Sequence, residues 1–434
     1  MRPVCNRATQ RRMTDQPRGR HLVSADRGFA TGGGVLARLA GGSFHRVLDR
    51  IDAGLAEGGI DATLPDGTRR MLGGRAPGPV PVVHLHSWRA LVRLISSGSV
   101  GWYKAWELGE WSSPDPVPLF DLFMRNGESL GDTARAKGLF RLVNRLAHAF
   151  RDNDRERARR NIAFHYDLGN DFYAPWLDAS MTYSSAVFAE PISPAELLEA
   201  AQARKIRLLL DRLQLEPGQR LLEIGCGWGG LAEVAARDYG VEVVGVTLSA
   251  EQKAWAERRL AEAGLAGRVS IRLCDYREIE GRFDAVASVE MVEAVGRAWW
   301  PAYLEAIARA LAPGGRAALQ LISIRDALFE RYAANADFIQ TYIFPGGMLV
   351  GEGEFARIAA GAGLEWRDRT GFGLHYAETL KRWRLRYDEA VEEGRLPNGF
   401  DEPFHRLWRY YLMYCEGGFR GGGIDVAQVT LVKR

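Results

Sequence analysis

Residues 221–230 read LLEIGCGWGG, an apolar run that passes directly into glycines at 225, 227, 229 and 230. A short apolar run of this kind predicts a buried strand. Glycines directly after it let the backbone approach a ligand at the carboxyl end of a parallel sheet. Two nucleotide motifs are excluded. A dinucleotide fingerprint reads GxGxxG with an acid about 20 residues on, whereas here the spacing is GxGxG and the next strand ends in VTLSAEQ, with Thr247 and Gln252. No GK[ST] follows the glycines, so a P-loop is also out.

Working outward, helix and strand alternate: helix 195–213, strand 220–225, helix 230–239, strand 241–248, helix 250–264, strands 269–275 and 283–290, helix 298–311 and strand 316–324. That order predicts an α/β fold with a doubly wound, Rossmann-like parallel sheet. The tail adds aromatic-rich helical insertions at 326–362 and 377–418. Upstream, 35–125 forms a small α/β module with a hairpin turn at Asp66-Gly67 and an aromatic cluster of Trp102, Tyr103, Trp106 and Trp111. A charged helical connector at 126–160, containing RARR at 157–160, leads into the large domain at 161–434.

At 434 residues, 47% hydrophobic and 26% charged, the chain has the balance of a two-domain globular protein. No apolar run approaches the roughly 18 residues of a membrane span, and no signal-peptide core follows the first methionine, so a cytoplasmic location is expected. Residues 1–34 are expected to be disordered: across the first twenty, Arg2, Arg7, Arg11, Arg12, Arg18 and Arg20 face only Asp15, and Met13 is a second candidate initiator. Cys5, Cys226, Cys274 and Cys415 lack any CxxC spacing, which predicts neither a zinc site nor a disulfide framework.

Glu223 before the glycines, with CDYRE (Asp275, Tyr276) two strands on, resembles the class I methyltransferase motif that binds S-adenosylmethionine. HYDLGNDFYAPWLDASMTYSSAVF (165–188), GVTLSAEQ, SVEMVEAVG (288–296), FIQTYIFPGGMLV (338–350), GFGLHYAETLKRW (371–383) and FHRLWRYYLMYCEGGFRGGGIDVAQV (404–429) extend the match. Together they resemble cyclopropane-fatty-acyl-phospholipid synthases and the related mycolic acid methyltransferases. The resemblance implies methylation of a cis double bond in an acyl chain of a membrane phospholipid, giving a cyclopropane fatty acid. It implies cofactor contacts from Tyr183, Ser184, Glu223, Gly225, Gly227, Gly229, Thr247, Gln252, Asp275 and Tyr276. Glu293, Tyr376 and Cys415 then lie at the reacting centre, where a bicarbonate ion is the family's inferred base. Cys415 shares a helical stripe with Trp408, Tyr411 and Phe419, and lines the site without a nucleophilic role.

Two positions depart from the pattern. Ser185 stands where a cysteine helps frame the bicarbonate, and Gln320 where a histidine sits. Both can donate hydrogen bonds, but glutamine cannot carry a proton near neutral pH. The deprotonation step is therefore the one the sequence leaves open: a proton lost from the added methyl closes a cyclopropane, and one lost from the chain gives a methyl-branched alkene. The methyl acceptor is an alkene, so an aromatic-lined tunnel should align the reactants, exclude water and stabilise a carbocation. Trp299, Trp300, Phe329, Phe338, Tyr342, Phe344, Trp408, Tyr411 and Phe419 are the candidates, of which three or four are expected to serve.

The small module and its aromatic cluster suggest peripheral docking on the inner face of the membrane, with packing or homodimerisation as the alternative. A nucleic-acid methyltransferase is disfavoured, since neither an Asn/Asp-Pro-Pro-aromatic motif nor a Pro-Cys nucleophile occurs. A soluble small-molecule methyltransferase would need neither the long leader nor TYSSAVF. A non-enzymatic lipid-binding protein would not need the cofactor set.

Overall fold

The computed structural model describes residues 18–23, 41–131 and 168–434. Most of the basic N-terminus, the connector beyond residue 131 and the RARR segment lie outside the described residues. In the N-terminal unit, helix α1 (Gly41–Gly54) precedes β1 (Gly59–Thr63) and β2 (Arg69–Gly73), which pair antiparallel. Their turn is built as the sequence predicts: Gly67 takes φ +84°, and the Asp66 carboxylate accepts the Thr68 N–H at 2.9 Å. β3 (Val82–Leu85) runs parallel to β1, and β4 (Trp111–Ser112) closes the order β2-β1-β3-β4.

Helix α2 (Arg89–Glu107) is broken at Gly98, whose φ 58° and ψ −135° interrupt the helical turn, and α3 (Val117–Arg125) follows. The aromatic cluster expected at a membrane is largely interior. Trp102, Tyr103 and Trp111 are buried, with Trp102 stacked on Trp111 at 4.5 Å. Burying rings that size releases more water than leaving them at a surface, and Tyr103 finds partners in Phe338, Tyr342 and Tyr410 of the larger unit.

The large sheet has seven strands in the order β10-β11-β9-β8-β5-β6-β7. β5 (Arg220–Ile224), β6 (Glu242–Thr247), β7 (Val269–Leu273), β8 (Phe283–Val289) and β9 (Leu311–Ile324) are parallel, as predicted. Helices α4 (Leu198–Asp211), α5 (Gly230–Asp238), α6 (Ala250–Glu262) and α7 (Trp300–Ala310) complete the predicted alternation. The tail also supplies two strands that the helical reading of it missed. β10 (Leu364–Gly371) and β11 (Ile424–Lys433) extend the sheet, with β11 antiparallel to both neighbours.

Between β9 and β11 lie α8 (Asp326–Ala333), a π-helical turn (Ile339–Ile343), α9 (Glu352–Gly361), α10 (Gly373–Glu392) and α11 (Glu402–Arg420). Helix α11 ties the two units together. Gly417 and Gly421, four residues apart on one face, admit the backbone of α3 so closely that a Cβ on Gly417 would sit 2.4 Å from the Cβ of Phe120. Among the described residues no helix is long and apolar enough to cross a membrane.

Candidate active site

The glycine turn after β5 opens a crevice of about 180 Å³, lined by Tyr183, Ser184, Glu223, Gly225, Gly227, Thr247, Gln252 and Tyr276. Gly225 (φ +81°) has no room for a side chain, since a Cβ would meet Met291 Cγ at 2.8 Å. Thr247 donates its hydroxyl proton to Gln252 Oε1 at 2.8 Å and thereby fixes that amide at the start of α6. Glu223 Oε2 is buried without a partner among the described residues, and burial pushes the carboxyl up to about 8, with Lys205 opposing. An orphan acceptor beside a turn cleared of side chains fits a cofactor that brings hydroxyl donors, as S-adenosylmethionine does.

Two expected contacts are placed elsewhere. Gly229 (φ +83°) does not line the crevice but packs helix on helix, where a Cβ would lie 3.1 Å from Ala256 Cβ. The Asp275 carboxylate is held by Arg277, at 2.8 Å to both Nε and Nη2, and leaves the crevice wall to Tyr276. That Asp–Arg pair also caps the 3-10 turn after β7, since Asp275 Oδ1 accepts the Arg277 N–H.

At the floor of the crevice a carboxylate that the sequence reading passed over collects the donors. Glu290 Oε1 accepts the Ser185 backbone N–H and the Gln320 Nε2–H, each at 2.8 Å, and its Oε2 accepts the Tyr376 hydroxyl at 2.7 Å. Ser185 and Gln320 stand at the positions where the family pattern frames a bicarbonate, Tyr376 is the residue expected at the reacting centre, and all three donate to Glu290. In the structure these donors are held by the Glu290 carboxyl rather than left open. Ser185 contributes its backbone and not its hydroxyl, which instead donates to the Ala186 carbonyl at 3.0 Å. Gln320 is oriented in turn by Gln428, whose Nε2 donates to its Oε1 at 3.1 Å. Glu290 itself sits at φ +48°, a left-handed backbone that non-glycine residues adopt at a cost of about 1–2 kcal/mol.

Enclosure raises the Glu290 carboxyl above its ordinary value, while the bonds from Tyr376, Gln320 and Ser185 pull it back. Lys205 is the nearby cation; it is buried, and its ammonium donates to Ser184 Oγ at 2.7 Å. Burial lowers Lys205 to about 8 against the pull of Glu290, Asp178 and Glu223. Glu293, three residues on, is enclosed rather than at the surface. Its Oε1 accepts the Ile322 N–H and its Oε2 has no partner among the described residues. Burial, then the adjacent Glu290, pushes Glu293 up to about 8. The one signal that could have found Glu290 is its place: the first residue past β8, at the carboxyl end of a parallel strand.

Beyond Glu290 lies a second, mostly apolar cavity of about 410 Å³, and Glu290 and Tyr183 line both spaces. Of the nine aromatic candidates, Phe344, Tyr411 and Phe419 line it, joined by Tyr376, which stacks on Phe419 at 4.5 Å. Trp300 and Phe329 pack in the core beneath α7, and Phe338, Tyr342 and Trp408 in the aromatic core around α11. Cys415 faces the cavity, and burial raises its thiol far above the ordinary range. The stripe predicts a buried cysteine, and the resemblance implies a place in the site wall.

Residues 153–429 match the family model for mycolic acid cyclopropane synthetase. The chain is 39% identical over 417 residues to the tuberculostearic acid methyltransferase of Mycobacterium tuberculosis, covering 92% of this chain and 93% of that protein. It is 34% identical over 372 residues to the cyclopropane-fatty-acyl-phospholipid synthase of Escherichia coli, covering 83% and 89%. Among solved structures, the cyclopropane synthase MmaA2 of M. tuberculosis superposes with a TM-score of 0.58 at 31% identity, covering 63% of this chain and 98% of that one. The mycolic acid cyclopropane synthase CmaA1, complexed with SAH and CTAB, does so with a TM-score of 0.58 at 30% identity and the same coverage.

Proposed function

Because the chain belongs to the mycolic acid cyclopropane synthetase family of S-adenosylmethionine-dependent methyltransferases, we propose that it methylates the cis double bond of an unsaturated acyl chain, with Glu290 as the base. When bound, S-adenosylmethionine supplies an electrophilic sulfonium methyl. Gly225, Gly227, Thr247, Gln252, Glu223 and Tyr276 would hold it. The apolar cavity takes the acyl chain and excludes water, so the alkene meets the methyl and no competing nucleophile.

The new C–C bond uses the alkene's π electrons and leaves a carbocation on the neighbouring carbon. Tyr376, Phe419, Tyr411 and Phe344 line that cavity and supply the aromatic rings that would stabilise the charge. Glu290, at the junction of the two cavities, then takes up one proton, and the electrons of that C–H bond quench the cation. The carboxylate is tethered and its donors are saturated, and Gln320 beside it cannot relay a proton. These features favour loss of a chain proton and release of a methyl-branched alkene. The greater identity and coverage of a relative named as a fatty acid methyltransferase rather than a cyclopropane synthase support a methyl-branched product over a ring. Ring closure is the second reading, carried by the Escherichia coli relative.

Leu94 and Trp102 of α2 and Phe123 of α3 line the acyl cavity, so the N-terminal unit is read as part of its wall. A phospholipid chain reaches that cavity from a bilayer surface, the peripheral membrane location expected from the sequence. The test is incubation with S-adenosylmethionine and liposomes of cis-monounsaturated phospholipid, with mass spectrometry of the released acids before and after mild hydrogenation. A product one CH₂ heavier that takes up two hydrogens is expected. One that resists hydrogenation moves the assignment to cyclopropane formation, and no heavier product overturns the lipid substrate.

A further inference from the structure

The acyl cavity is polar at one end as well as at its reacting centre. Arg331 and Asn335, one turn apart at the end of α8, line it together with Ser97 and Ser99 from the broken turn of α2. The neighbouring arginines are paired: Arg297 with Glu330 at 2.8 Å and Arg325 with Glu128 at 3.4 Å. Among the described residues Arg331 makes no ion pair and no side-chain hydrogen bond. Arg331 thus lines the polar end of the cavity with no carboxylate partner among the described residues, which leaves its guanidinium to an anionic ligand.

Asn335 supplies the complementary half. Its Nδ2 donates to the Arg331 carbonyl at 2.9 Å, which orients the amide, and its Oδ1 is then buried with no donor among the described residues. The remaining acid of this cavity, Asp337, does not neutralise Arg331. Its Oδ1 accepts the Gln340 N–H at 2.9 Å, and its charge bears on Tyr332 and Cys415.

An unpaired cation beside an unpaired acceptor matches a ligand end that carries both anionic oxygens and a proton donor. We propose that Arg331 and Asn335 seat the polar head of an acyl phospholipid, with the phosphate on the Arg331 guanidinium and a head-group hydroxyl or amine proton on the Asn335 carbonyl oxygen. This rests on the acyl-chain reading above. It also makes the pair a specificity determinant, since anchoring the head at one end of the cavity decides which carbons of the chain arrive at Glu290.

The experiment is a fluorescence binding titration of the full chain without S-adenosylmethionine, which is independent of turnover. The probes are dioleoyl phosphatidylglycerol, oleic acid and methyl oleate, and the proteins are wild type, Arg331→Gln, Arg331→Lys and Asn335→Leu. Loss of one charge-assisted hydrogen bond predicts that R331Q weakens phosphatidylglycerol binding about tenfold or more and leaves methyl oleate unchanged. R331K should recover part of the loss. N335L should weaken phosphatidylglycerol but not oleic acid, which as a carboxylate offers no donor. If N335L leaves both unchanged while R331Q weakens both, the seat takes a free carboxylate and the phospholipid assignment falls. If R331Q binds all three as wild type does, or loses all three in parallel, the seat does not exist. Failure of the methylation reading looks different: wild type binds these lipids and yields no heavier product.

Discussion

Replacing Glu290 by glutamine removes one negative charge from the reacting centre and almost no volume. The new carbonyl can keep the 2.8 Å bonds from the Ser185 N–H and Gln320, and the new amide faces the Tyr376 hydroxyl, which can turn to accept. The fold should therefore persist, and only the capacity to take a proton is lost. Removing a general base lowers turnover by about 10²–10⁴-fold, which corresponds to about 3–5 kcal/mol of barrier. Initial rates with S-adenosylmethionine and monounsaturated liposomes should show that fall in kcat with cofactor affinity by calorimetry unchanged. A companion variant sharpens the test. Glu290→Gly suits the φ of +48° and frees all three donors for a small anion, so added bicarbonate or formate should restore part of its rate. If E290Q retains turnover within about tenfold of wild type, Glu290 is not the base. If no small anion rescues E290G, the donors serve only to hold the side chain.

The Tyr376 bond to Glu290 lowers that carboxyl, so Tyr376→Phe should move the acidic limb of the kcat–pH profile to higher pH, and an unmoved limb contradicts the assigned coupling. Glu293 is raised from 4.5 to about 8 in the fold, so the folded state holds a proton that the unfolded chain has released across that window. The associated stability is complete below pH 4.5 and is lost as pH rises towards 8, by an amount on the order of a few kcal/mol. Melting temperatures of the cofactor-free protein between pH 5 and pH 8 should accordingly fall less in Glu293→Gln than in wild type. Gly225→Ala should abolish cofactor binding, because the Cβ meets Met291. Gly229→Ala should lower stability by about 1–2 kcal/mol for its left-handed backbone while leaving cofactor affinity intact, and a parallel loss of affinity would return Gly229 to the crevice wall.

Much of this molecule is legible from local pattern. The β5–β9 alternation, the hairpin at Asp66-Gly67 and the left-handed glycines after β5 follow from periodicity and steric rules that act within a few residues. Ordered motifs along the chain were enough to mark the family, the cofactor and most of its crevice. The strands β10 and β11 were not legible, because aromatic-rich segments around them carry a helical period and only pairing of β11 with β9, and of β10 with β11, decides their form. The acid at the centre was not legible either. SVEMVEAVG offers Glu290 and Glu293 three residues apart, and nothing local ranks them. The ranking comes from donors on Ser185, Gln320 and Tyr376, which lie 105, 30 and 86 residues away in sequence. The sequence by itself determined the parallel sheet and the methyl donor it serves. Only the tertiary structure decided which carboxylate collects the donors, because that is set by distant groups brought around it.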